Sequence, residues 1–128
     1  MPRFDKNTLK DLEKYINSSD IHDSTIDACC YSQVNQQLTL VTSHPTFQTK
    51  TTFCFHGVEL VLGTFEKEIR VLFDTIYYLS IEEDFSSLKE HLQLCKDAEK
   101  GLIYLLFEMI SQSTLHVVCR SVDVDTSR

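Results

Sequence analysis

Thr49-Lys50-Thr51-Thr52-Phe53-Cys54-Phe55-His56-Gly57-Val58-Glu59-Leu60-Val61-Leu62-Gly63 carries the clearest strand pattern in the chain. Thr49, Thr51, Phe53 and Phe55 recur at every second position, the period of a strand with one buried face. Gly57 interrupts, then Val58, Leu60 and Leu62 resume, and Gly63 closes the segment. A glycine inside a strand marks a bulge or the close approach of another backbone.

The same period extends upstream. Ile26, Ala28 and Cys30 alternate with Thr25, Asp27 and Cys29, a polar turn covers Ser32 to Gln37, and Leu38 to Thr42 follows, the pattern of a hairpin. His44-Pro45 ends it, because proline removes a ladder donor. Downstream, residues 64–75 fit both a helical spacing (Phe65, Ile69, Leu72, Phe73) and a strand spacing (Ile69, Val71, Phe73). They are read as a short helix or turn leading into a strand from Ile76 to Glu82. Leu102 to Ile110 is apolar at nearly every position, as in a central strand covered on both faces. After Ser111-Gln112-Ser113 the alternation of Leu115, Val117 and Cys119 runs on to Val124, completing a C-terminal hairpin.

Two helices are expected beside these strands. Residues 7–17 place Leu9, Leu12 and Ile16 on one face, with Asn7 as cap. Residues 86–100 place Leu88, Leu92 and Cys95 on one face, with Ser86 or Ser87 as cap and Gly101 after the end. The fold class is therefore α+β: a largely antiparallel, twisted sheet of about five to seven strands, an N-terminal helix, and a second helix before the C-terminal β-hairpin. The chain reads as one domain over residues 1–128, with 1–6 and 125–128 as flexible tails. Its expected core holds Leu12, Ile26, Leu40, Phe53, Phe55, Leu60, Leu106 and Val117.

Composition narrows the function. With 42% hydrophobic and 24% charged residues over 128 positions, the chain can build a core without a metal or disulfide. Its net charge is −7 and no two Lys or Arg residues are adjacent, so the basic stripe needed for nucleic acid is missing. Acidity instead favours encounter with a basic protein. The cysteines are five (Cys29, Cys30, Cys54, Cys95 and Cys119), an odd number without a C-x-x-C pair. The segment from Met1 to Lys6 has no apolar signal core, so free, mostly buried thiols in a reducing, cytoplasmic compartment are expected. The longest apolar run, Leu102 to Phe107, is far shorter than a membrane span.

Candidate chemistry was weighed against structural roles. His22-Asp23 suggests a metal-dependent phosphohydrolase, but that chemistry wants the pair on a helix, and here it precedes a strand. Turn capping by Asp23 or Ser24 is the simpler reading. Cys54 and His56 share a face and form the minimum for a thiol nucleophile, with no partner visible to orient the histidine. His22, His56 and His116 lack the close ligand spacing of a zinc site. Glu82-Glu83-Asp84 reads as a solvated loop at a strand end. The chain has three glycines and none of the usual phosphate-loop or nucleophile-elbow motifs. No catalytic residue, cofactor or metal is assigned, and the binding candidates are His22, Asp23, Glu82, Glu83 and Asp84.

Three stretches carry a resemblance: Ile21-His22-Asp23-Ser24-Thr25-Ile26, Phe53-Cys54-Phe55-His56-Gly57-Val58, and the final hairpin from Tyr104-Leu105-Leu106-Phe107 through Leu115-His116-Val117 to Val122-Asp123-Val124. Their order resembles small bacterial domains grouped with the immunity proteins of toxin systems (the Imm50-like type). The resemblance implies an α+β fold and a non-enzymatic role, binding a cognate toxin, with acidity suited to a basic nuclease. It carries no catalytic residues. Three functions are therefore expected in this order: a protein-interaction module of immunity type, a structural subunit or homodimer of a larger assembly, and a small hydrolase in which His22 and Asp23 meet His56 or His116 in one cleft.

Overall fold

The computed structural model describes residues 2–64, 74–88, 91 and 101–127. In chain order these form β1 (Arg3–Asp5), α1 (Leu9–Ser18), β2 (Thr25–Ser32), β3 (Gln37–Ser43), β4 (Lys50–His56), β5 (Leu60–Thr64), β6 (Ile76–Glu82), β7 (Ile103–Met109), β8 (Thr114–Cys119) and β9 (Ser121–Ser127). Two short 3-10 turns occupy Lys6–Thr8 and Ser86–Leu88. The strands make a five-stranded sheet, β1-β9-β4-β3-β2, and a four-stranded sheet, β5-β8-β7-β6. Every strand pairing within them is antiparallel.

Gly57 sets this architecture. It lies at φ 60°, in the left-handed region that an L side chain rarely adopts, and there β4 turns out of the first sheet into β5 of the second. β8 makes the matching passage into β9 across one residue, Arg120. The ladder survives the bend: the Arg120 N–H donates to the His56 carbonyl (3.0 Å), and the Glu59 N–H donates to that of Val118 (2.8 Å). Two long bent strands are thereby shared by both sheets. The aliphatic stem of Arg120 lies over Gly57, where a Cβ would sit 3.0–3.1 Å from its carbons.

Folding the sheet on itself places Phe53 and Phe55 of β4 against Phe107 of β7, with ring centroids 5.7 and 6.3 Å apart and planes near perpendicular. All three rings are fully buried, with Leu40, Val117, Val122 and Val124 around them. The far edges close as well. The Asp23 N–H donates to the Ile76 carbonyl (2.8 Å), the Ile76 N–H to Ser24 (2.8 Å) and the Ile26 N–H to Asp74 (2.9 Å). These bonds tie the start of β2 to the start of β6. Helix α1 buries Leu12 and Ile16 and packs beside β1 and β6. Ten residues of helix are marginal alone, so this apolar stripe holds it in place.

The antiparallel α+β reading and the N-terminal helix hold, and the strand count does not. Nine strands are present among the described residues rather than five to seven, because the 49–63 stretch and the last strand each bend into two, and Arg3–Asp5 pairs with β9. Those three residues and Asp125–Ser127, read from sequence as tails, lie in paired strands. The helix start also differs: Asp5, not Asn7, caps the first turn, accepting the Asn7 N–H (2.8 Å) while Thr8 Oγ1 accepts the Asp5 N–H (2.9 Å). The second helix, 86–100, lies mostly outside the described residues, and its start is the 3-10 turn Ser86–Leu88. Residues 65–73, most of the ambiguous segment, are likewise outside them. Of the expected core, Leu60 and Leu106 fall instead on the outer face of the second sheet, half-buried beside Phe85, Leu88 and Tyr104.

Replacing Gly57 by Ala is expected to cost about 1–2 kcal/mol in urea unfolding, the penalty of a left-handed L residue. Gly101→Ala, whose Cβ would meet only the flexible tip of Arg120 at 3.4 Å, should stay within about 0.5 kcal/mol of wild type. Equal effects at both positions would show that the bend does not depend on Gly57.

Candidate functional site

Two polar clusters sit on the outer faces of the sheets. On the first sheet, strand alternation turns Cys54 and His56 away from the Phe53 and Phe55 face, as expected. Cross-strand register then sets Asp123 opposite Cys54 and Arg3 opposite Asp123. Asp123 accepts two bonds from the Arg3 guanidinium (2.6 and 3.0 Å) and one from His56 Nε2 (2.8 Å). A carboxylate only accepts, so His56 carries its proton on Nε2, and Nδ1 faces the Gln37 amide at 3.4 Å. That amide also donates to Cys54 Sγ at 2.8 Å. Hydrogen bonding to Arg3, aided by His56, holds the Asp123 carboxyl down at about 2 from its ordinary 3.8. The partner that orients His56 is thus Asp123, 67 positions away in sequence. The array lies on an open strand surface and pins β1 and β4 to β9.

On the second sheet, Tyr104 hydrogen-bonds His116 Nδ1, and Thr114 Oγ1 lies 3.2 Å from His116 Nε2. Burial, aided by His91, lowers the His116 pKa, and burial raises that of Tyr104. His22 is in neither cluster. Its ring stacks on Tyr78 of β6 with centroids 5.5 Å apart, and its Nε2 is buried without a partner among the described residues. The three histidines therefore stand in three separate places. No three His, Cys, Asp or Glu side chains gather as a metal site among the described residues.

The five binding candidates map onto the two ends of β6. His22 stacks near its start, and Asp23, at φ 71°, gives its backbone N–H to Ile76. Local side-chain bonding falls to Ser24, whose hydroxyl donates to the Asp20 carbonyl (2.6 Å). At the other end, about 20 Å along a strand, Glu82 accepts from Ser80 (3.0 Å), Glu83 is exposed, and Asp84 caps the Ser86 N–H (2.9 Å).

Between those ends lies what the sequence reading missed. β6 carries a bulge: Ile76 pairs with Met109 and Tyr78 with Glu108, leaving Tyr77 as the extra residue. Bulges re-aim side chains, and Tyr77 is thrown outward, 67% exposed. Tyr78 and Ile110 beside it are 49% and 60% exposed. Tyr77, Met109, Ile110 and Gln112 line an open hollow of about 430 Å³. In sequence and register, Asp74 lies just before β6 and Glu108 pairs with Tyr78, and the Asp74 carboxylate accepts from the Ser111 hydroxyl at 2.6 Å. The one signal in the sequence is the pair Tyr77-Tyr78, which breaks the alternation running from Ile76.

The cysteines also differ from expectation: Cys119 alone is buried among those described, its thiol pushed up to about 12 by burial, whereas Cys29 and Cys30 are exposed on the edge strand β2. Cys95 lies outside the described residues. No helix among the described residues is long and apolar enough to cross a membrane. No protein-family model and no curated protein matches the chain.

Asp123→Asn should lower stability by about 1 kcal/mol near neutral pH. The native carboxyl titrates below its ordinary 3.8, so the folded state binds fewer protons than the unfolded one in this window. The contribution is present above 3.8 and fades as pH falls toward about 2, so wild type and variant should converge there in acid unfolding. A constant gap across that window would show that the carboxylate charge contributes nothing.

Proposed function

We propose that the chain is a non-enzymatic protein-interaction module that binds a basic protein through the Tyr77 end of the second sheet. The observation that carries this reading is the bulge, which exposes Tyr77 beside Tyr78 and Ile110 around an apolar hollow. Tyrosine is enriched where protein interfaces concentrate their energy, and clustered exposed apolar groups mark interaction sites. The net charge of −7, with Glu108 in register with Tyr78, supplies attraction for a basic partner. Among the described residues His22, His56 and His116 stand in three separate places, which supports binding over turnover. An immunity-type role, in which a basic toxin is bound and neutralised, fits the same surface. The unpaired thiols suit a reducing cytoplasmic setting.

The test is affinity capture from the native host at low salt with wild type and a Tyr77→Ser/Ile110→Ser double variant. Wild type should recover one stoichiometric basic protein, with recovery falling as salt rises. The variant should keep its thermal unfolding and lose tenfold or more in affinity, as expected for central interface residues. No stoichiometric partner, or equal recovery by both proteins, contradicts the reading. A wild-type dimer that dissociates in the double variant would turn it toward self-assembly.

A further inference from the structure

Beyond Ile76, β6 pairs with β7 on one side, and among the described residues no backbone group bonds it on the other. That open side faces α1 across a groove of about 120 Å³ lined by Glu13, Ile16 and Asn17 of the helix and by Tyr78, Leu79, Ser80 and Ile81 of the strand. Side chains on a strand alternate between faces, so a wall made of four consecutive residues is the strand's own edge, presenting peptide N–H and C=O groups. Such an edge is a template for another strand, and proteins ordinarily shorten or cover it. The other edge of this sheet, β5, has only five residues, and the edges of the first sheet are β1, with three, and β2, with eight, whose start is tied to the start of β6. β6 has seven, and a helix walls it rather than covering it.

The one charged residue lining the groove is acidic, Glu13 on the helix, and the groove residue Ser80 donates to the Glu82 carboxylate at 3.0 Å. The His22 ring is stacked on the groove residue Tyr78, its buried Nε2 without a partner among the described residues. We propose that the β6 edge is a docking site for an extended basic segment of a partner polypeptide, which joins the second sheet as an added strand alongside α1. This inference rests on the interaction reading above and specifies its mode: main-chain bonds supply affinity, and alternate side chains meet Glu13 and Tyr78.

The probe is an acetylated, amidated heptapeptide of alternating lysine and valine, followed by amide hydrogen exchange on the intact protein. Strand addition predicts new protection at alternate amides within Tyr78–Glu82, a pattern that side-chain docking does not produce. Methylating alternate peptide nitrogens should abolish binding. Glu13→Lys, at an exposed helix position that leaves folding intact, should weaken it about fivefold or more. Absence of binding up to about 1 mM, binding without new β6 protection, or protection confined to Ala28–Ser32 on the edge of β2 overturns the proposal. If the peptide fails while Tyr77-dependent capture of a host protein persists, only the strand-addition mode falls. If capture also fails, the interaction reading falls with it.

Discussion

The left-handed backbone at Gly57 is the constraint on which the remaining architecture depends. An L residue there would sit in a costly conformation and press on the stem of Arg120, so glycine lets β4 turn into β5 without breaking the ladders of β4 to β9 and of β5 to β8. Because two strands run through the bend, the sheets are one hydrogen-bonded surface folded over, and their inner faces meet at Phe53, Phe55 and Phe107. The same folding brings the start of β2 to the start of β6, where three backbone bonds close the far side. Closure stops at Ile76, and beyond it β6 carries a bulge, an exposed tyrosine pair and an edge that no other backbone group bonds among the described residues.

The polar side chains that most invite a chemical reading act as stitching. Arg3, Asp123 and His56 join three strands, Tyr104 and His116 join β7 and β8, and Ser24 and Asp84 bond local backbone. Each removes an unsatisfied polar group from a partly buried surface, which is sufficient reason for its presence. Stitching leaves unexplained Tyr77 in solvent on β6 and, among the described residues, the unpartnered buried atoms His22 Nε2 and Ser113 Oγ.

Much of this was legible in the sequence, because much of it is local. The alternation of Thr51, Phe53 and Phe55, the first hairpin and the Ile76–Glu82 strand follow from side-chain period. Gly57 was legible as an irregularity but not as a change of sheet, since a corner and a simple bulge both need only one permissive residue. Arg3–Asp5 looked like a tail because three residues have no period to read, and their pairing with β9 crosses nearly the whole chain. Asp123 could not be joined to His56 for the same reason. Leu60 and Leu106 looked like core because hydrophobicity does not say which of two covered faces a residue takes. The binding candidates His22, Asp23 and Glu82 to Asp84 lie at the two ends of the strand on which the proposed function rests.

The central claim, that the β6 end meets a partner, is tested most directly by tyrosine-directed radical labelling of the protein in native host extract and in purified form. Tyr31 on β2, 48% exposed, serves as the internal reference for Tyr77 and Tyr78. The account predicts that Tyr77 and Tyr78 are modified several-fold less in extract, with Tyr31 unchanged. Equal modification of all three in both settings, or protection of Tyr31 alone, would contradict it.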